Sequence, residues 1–277
     1  MSLTQSLLGQ MPGFAVQVLR LIIWLVLLSA IFVPLERLFA LRPNKRSFSE
    51  TSQDLAYYFL SSLLPMLLLG LPLAIIAVAA YRLLPEVYLT AIGALPTTLR
   101  LLLTFVIGEI GFYWGHRLSH EVSCLWRFHS IHHRPEHLYY LANTRAHPVD
   151  LIVTRLFGLV PLYALGLVGP GVGGSAVPVA LILVGTLWGF FVHSNLRLRM
   201  GPFEWLLSTP AFHHWHHSRT DHINHNYASM LPVLDRVFGT HYLPATWPAQ
   251  YGIQTEAPNT ITEQLLTPFS GAARDRR

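Results

Sequence analysis

The chain has almost no cysteine, since Cys124 stands alone among 277 residues. A single thiol excludes a disulfide framework, a cysteine-ligated iron–sulfur cluster and a CxxC redox pair. Charge is nearly as scarce: Asp, Glu, Lys and Arg make up 12% of the residues, against 52% that are hydrophobic. There is no GxGxxG fingerprint for a flavin or nicotinamide, no Walker lysine motif and no internal repeat. The glycine cluster from Gly169 to Ser175 reads as a turn between apolar segments. No aromatic basic strip or soluble domain accompanies the net charge of +5, so no nucleic-acid partner is expected.

What the chain has instead is long apolar runs. The charge-free stretch from Leu55 to Tyr81 is long enough to cross a bilayer. Further spans are expected at roughly Phe14–Pro34, Leu99–Gly115, Leu151–Leu167 and Val177–Val192, with Arg20, Arg100, Glu109 and Arg155 at or near their edges. The first is too long for a secretory signal, lacks a small-residue cleavage site and runs into Glu36 and Arg37, so it reads as a retained helix. Unalternated apolar runs fit helices rather than barrel strands. The expected fold is therefore all-α: a multi-pass membrane protein with four to five transmembrane helices and a helical, histidine-rich cap. Basic residues follow the first span (Arg37, Arg42, Lys45, Arg46), lie between the third and fourth (Arg117, Arg127, Arg134, Arg145) and follow the last (Arg197, Arg199, Arg219, Arg236). The intervening loops carry only Arg82, which puts the cap in the cytoplasm.

Fifteen histidines are present, and eight of them fall into three boxes. HRLSH carries His116 and His120; HSIHH carries His129, His132 and His133; HHWHH carries His213, His216 and His217. Residues three or four apart share a helix face, so each box presents a row of imidazoles. Imidazole suits iron, zinc, copper and nickel, and eight rings exceed the needs of one ion, so a dinuclear centre is the economical reading. His193 ends the last span and can reach over the same site.

The remaining polar residues have humbler expectations. His214 is one residue off the face of its box, and His137, His147, His222, His225 and His241 lack ligand spacing. They are assigned outer supporting or capping roles. Glu109 is either a carboxylate turned toward His116 or a helix–helix hydrogen bond. Asp150 and Asp221 default to caps or outer partners of the ligands. Tyr139, Tyr140, Trp126, Trp188, Trp205 and Trp215 read most simply as an interfacial belt, with a substrate groove as the alternative.

Together HRLSH, LWRFHSIHH, RAHPVD, FVHSNLRL, EWLLSTPAFHHWHHSR and NYASMLPVLDRVFGT resemble the fatty acid hydroxylase superfamily, also called the sterol desaturase family, over roughly Arg46 to Phe269. The resemblance implies an integral-membrane, histidine-ligated oxygenase with two iron ions and O2 as co-substrate. Such enzymes oxidise a lipid by sterol desaturation, methyl oxidation, acyl hydroxylation or alkylglycerol cleavage. It carries the three boxes onto the eight residues above and the intervening histidine onto His193. Some members have HxxxH where this chain has His193 and then Arg197, and His214 is an additional imidazole within the third box. Residues 1–45 then form an anchor helix and basic link, 46–269 the catalytic domain and 270–277 a charged tail. The tail from Pro244 onward is expected to be an extended wrap except around Ile261–Leu266.

The competing reading is a histidine-rich protein that binds or transports metal without catalysis. Transporters place ionisable groups along a path near the bilayer midplane, whereas here every box follows a span. A zinc hydrolase would want a carboxylate within a box, as in HExxH, and none has one. With no relay motif of its own, the oxygenase needs an external electron donor, cytochrome b5-like or ferredoxin-like, together with its reductase. Its docking face is expected to include Arg127, Arg134, Arg219 and Arg236.

Overall fold

The computed structural model describes residues 12–43, 46–169, 176–220, 222–254 and 260–270. Lys45, Asp221, most of the Gly169–Ser175 turn and the Arg274–Arg277 stretch lie outside them. Among the described residues the secondary structure is helical, and pairing of β type is limited to two isolated bridges, Ala40 with Leu196 and Ser218 with Tyr251.

Helix α1 spans Gly13–Leu38 and α2 spans Phe48–Leu83, and both are long and apolar enough to cross a membrane. A short helix α3, Glu86–Gly93, occupies the loop between Arg82 and Pro96, and α4, Thr97–Glu121, leaves it at a bend of 108°. If that bent pair is one span, the count rises to three. The helices α5 (Ser123–His133), α6 (Pro148–Ala164), α7 (Ala176–His193), α8 (Pro210–His216), α9 (Val233–Val237) and α10 (Ile261–Leu266) follow, with a 3-10 turn at Tyr140–Thr144.

At 1.5 Å per residue, the 36 residues of α2 rise roughly 54 Å, well beyond the ~30 Å hydrocarbon core. Its first turns therefore belong to the polar body. Ser47 and Glu50 close a capping box at its start, and Asp54, one turn further on, is buried against Arg145, with Oδ1 2.6 Å from Nε. The Tyr139 hydroxyl donates to the other oxygen of Asp54. Helix α1 is also tied into the body. Its Glu36 carboxylate accepts from the backbone N–H of Tyr140 at 2.7 Å and of Asn195 at 3.0 Å.

Helices α4 and α6 approach closely because Gly111 and Gly115 face α6: a Cβ at Gly111 would collide with the Phe157 carbonyl, and one at Gly115 with the Phe157 side chain. This contact brings the C-terminal end of α4 beside the N-terminal end of α6.

Tyr139 and Tyr140 are not an interfacial belt. Both are buried between α1, α2 and α7, Tyr140 stacking on Phe32 with ring centroids 5.4 Å apart and meeting Ser29 through its hydroxyl. Their segment passes through the body and needs their polar tips to satisfy buried partners. Trp205 is largely exposed, whereas Trp188 donates its indole N–H to Ser208.

A candidate dinuclear metal centre

Four helix ends converge beneath the polar body, and each delivers imidazoles for a local reason. In α4, His116 and His120 continue the buried face that runs through Glu109 and Tyr113, at helical steps of three and four. In the eleven-residue α5, His129 and His133 stand one turn apart on a common face, and His132 is rotated away from them. Helix α8 is only seven residues long. It starts with Thr209 accepting the Phe212 N–H and with Pro210 at its first position, a favoured opening because proline has no N–H to leave unpaired there. His193 closes α7.

The nine rings sort into two buried groups: His116, His120, His129, His133 and His216 in one, and His132, His193, His213 and His217 in the other, with the ring nitrogens of each group lying within 4.8 Å of one another. Each HxxHH box is thus divided, and in opposite senses. The second box gives His129 and His133 to the group of five and His132 to the group of four, while the third gives His213 and His217 to the group of four and His216 to the group of five. In the second group Nε2 of His193 lies 3.1 Å from Nε2 of His132 and 3.0 Å from Nε2 of His213, which is 3.1 Å from Nε2 of His217. In the first, the Nε2 atoms of His129 and His133 are 3.1 Å apart. Ligands held 2.0–2.1 Å from an ion at octahedral to tetrahedral angles stand roughly 2.9–3.4 Å apart, so these spacings suit a shared ion.

Backbone carbonyls and one carboxylate settle the ring tautomers. The Nδ1–H of His116 donates to the Tyr227 carbonyl (2.7 Å), that of His132 to Arg145 (3.0 Å), that of His193 to Gly189 (2.7 Å) and that of His216 to His225 (2.8 Å). His129 donates to Asp150. A donor proton fixed on Nδ1 leaves Nε2 with a lone pair for a metal. Both ring nitrogens of His120, Nε2 of His216 and Nδ1 of His133 and of His217 are buried without a hydrogen-bond partner. Orphaned nitrogens are costly unless something takes them up: an ion in the five-histidine group would take up Nε2 of His216 and one nitrogen of His120, and in both groups the facing Nε2 atoms form a donor set that fits an ion.

Five of the rings favour the neutral form. Burial first of all, then the neighbouring rings, holds His133, His213, His216 and His217 well below the usual histidine range, and burial and His129 bring His132 down to about 4. Asp150 shows the opposite balance: burial raises its pKa, but the attraction and hydrogen bond of His129, with His132 and His116 adding to them, together outweigh this and leave it lowered.

Other polar residues fall outside the two groups. His214 is fully buried but turns away, with Nδ1 2.7 Å from the Tyr251 hydroxyl and Nε2–H donating to the Ser194 carbonyl. His147 caps α6, accepting the Val149 N–H. Glu109 adopts neither expected role. Its carboxylate accepts the N–H groups of Met230 and Leu231 and so ties the chain after the third box to α4. Arg134 is buried, which removes it from any docking face, and Arg219 is paired with Glu136 at 3.1 Å. Sequence reasoning missed the carbonyls of Arg145, His225 and Tyr227 because a carbonyl's role has no residue-type signature.

A model of the fatty acid hydroxylase family matches residues 101–240, half of the chain and the part that holds every one of these histidines. The chain is 35% identical over 183 residues to an ornithine lipid hydroxylase, OlsE, of Rhizobium tropici, covering 65% of this chain and 53% of that protein. It is 32% identical over 160 residues to an alkylglycerol monooxygenase of Xenopus tropicalis, covering 57% and 34%, and 29% identical over 152 residues to methylsterol monooxygenase 2-2 of Arabidopsis thaliana, covering 51% and 52%. The matched regions thus span about a third to a half of these relatives' lengths. No solved structure matches. With that match enclosing the paired histidine groups, the chain belongs to the fatty acid hydroxylase family.

Proposed function

We propose that this protein is a membrane-bound di-iron oxygenase that oxidises a C–H bond of a membrane lipid with O2. The observation that carries the reading is the sorting of nine buried imidazoles into adjacent groups of five and four, a donor set for two ions. Iron, when bound, supplies the redox chemistry that an unactivated C–H bond demands and no side chain possesses. The relatives named as a hydroxylase and as monooxygenases favour hydroxylation: C–H becomes C–OH, the second oxygen atom leaves as water, and two electrons and two protons come from outside. Desaturation, in which the same O2 removes two hydrogens, remains the alternative product of the same site.

The chain's own groups hold and orient. His116, His120, His129, His133 and His216 would hold one ion, and His132, His193, His213 and His217 the other. Neutral rings bind without first losing a proton, and the hydrogen bonds from Nδ1 keep each ring from swivelling. Burial of the whole set excludes water from the reacting carbon. The apolar outer faces of α1 and α2 lie in the lipid, so a substrate tail can enter from the bilayer while its polar end stays at the surface.

In this reading four to five spans cross the membrane, with α6 and α7 contributing the shorter ones. The histidine boxes face the cytoplasm, following the basic residues that flank them. Residues 46–269 form the catalytic body, with α1 as an anchor gripped through Glu36. Electrons arrive from a cytochrome b5-like or ferredoxin-like donor and its reductase.

The test compares lipid extracts of cells with and without the chain by mass spectrometry under 18O2. The expected product is a lipid heavier by one labelled oxygen, with two iron ions per purified chain. Zinc alone in the purified protein, with metal uptake into vesicles and no altered lipid, would replace this reading by metal transport.

A further inference from the structure

The five-histidine group takes two of its ring orientations from one short segment. The His225 carbonyl accepts from His216 of α8, and the Tyr227 carbonyl accepts from His116 of α4. Between them lies Asn226, fully buried and in the left-handed region at φ 60°. Few residues other than glycine adopt that conformation, asparagine most readily.

Every polar group of the Asn226 side chain is used. Nδ2 donates to the carbonyls of Phe212, at 2.8 Å, and Tyr242, at 2.7 Å, while Oδ1 accepts the Tyr242 N–H at 2.8 Å. Its backbone N–H donates to the Thr240 carbonyl. Phe212 directly precedes His213, so the side chain reaches into the helix of the third box. Rotation about φ would swing the peptide carrying the His225 carbonyl relative to the chain that carries the Tyr227 carbonyl. The far side is clamped separately, since Asp235 accepts the N–H groups of Tyr227 and Ala228.

We propose that Asn226 is a positioning residue for one metal site of the two: by holding a left-handed turn between His225 and Tyr227 it aims the rings of His116 and His216 at the five-histidine ion. The four-histidine group draws its ring partners elsewhere, His132 from Arg145 and His193 from Gly189. Loss of the Asn226 bonds therefore affects the two sites unequally. The inference rests on the proposal that the histidines hold two ions.

The experiment loads the purified full-length protein with Co(II) alone and follows its visible absorption as a chelator strips it. N226A removes the side-chain bonds. N226D keeps the shape and tolerates the left-handed conformation but sets an oxygen against the Phe212 and Tyr242 carbonyls. Wild-type protein should hold two ions. Each variant should keep one at the wild-type release rate and lose the other about 10- to 100-fold faster, the usual effect of removing an outer partner. Circular dichroism first establishes folding. If N226A does not fold, N226D decides; if neither folds, or if both ions are retained or both released faster together, Asn226 is a structural residue only and the proposal falls. Fewer than two ions in the wild type would instead overturn the dinuclear reading itself.

Discussion

Asp150 holds His129 by both carboxylate oxygens, each 3.0 Å from the ring Nδ1. The two residues come from different helices, α5 and the first turn of α6, joined by a connection in which Arg145, the residue after the 3-10 turn, supplies its carbonyl to His132. One connection thus orients a ring in each metal group. Replacing Asp150 by Ala should weaken metal retention about 10- to 100-fold, read by competition with a chelator. Asp150→Asn, which preserves shape and one acceptor, should lose less.

The two classes of buried histidine should separate cleanly. His120→Ala removes a ring whose polar neighbours are the other imidazoles of its group and Asn224, so it should abolish turnover and lower the iron content while costing the metal-free protein less stability than His214→Ala does. His214→Ala strands the Tyr251 hydroxyl and the Ser194 carbonyl. It should leave two ions in place and cost ~2–4 kcal/mol of stability. Elemental analysis and thermal melting read both.

Asp235 gives a pH signature of stability. Burial, only partly offset by its hydrogen bonds from Thr240, Ala228 and Tyr227, raises its pKa from 3.8 to about 6. The folded protein then holds this proton more tightly than the unfolded chain does. The resulting stabilisation is full below about 3.8 and disappears as pH rises through about 6, an effect on the order of 3 kcal/mol. Buried histidines titrate in the same interval with the opposite slope, so the test is a difference: the stability of wild type minus that of Asp235→Asn should shrink as pH rises from 4 to 7. A constant difference would refute it.

Orientation can be tested without engineering, because Cys124 is the lone cysteine and is exposed between the first two boxes. With the boxes in the cytoplasm, an impermeant thiol reagent should leave the protein unmodified in intact cells and modify it in inverted membrane vesicles. Labelling in intact cells would reverse the topology.

The proposed docking face for an electron donor is narrower than the basic sequence suggests, since Arg134 is buried. Arg127 and Arg236 are partly exposed, and Arg219 is shared with Glu136. Charge reversal at Arg127 or Arg236 should raise the donor concentration for half-maximal turnover several-fold, an effect that weakens with salt and leaves the iron content unchanged.

The histidine boxes were legible in the sequence because helix periodicity is local: three- and four-residue spacings place rings on one face whatever lies across from them. The long spans of α1 and α2 were legible for a similar reason, since uninterrupted apolar length needs no partner to be recognised. The division of the rings between two groups was not. His129 and His132 share a box but serve different groups, and that choice depends on which helix end stands opposite each ring. Nor could the sequence foresee that Tyr139 and Tyr140 are internal struts, that Glu109 grips the backbone at Met230, or that the carbonyls of His225 and Tyr227 orient two of the rings. Each of these depends on the meeting of segments from nine to more than a hundred residues apart. A backbone carbonyl has the same chemistry at every position, so it is the tertiary arrangement, including the left-handed turn at Asn226, that decides that the carbonyls of His225 and Tyr227 reach His216 and His116.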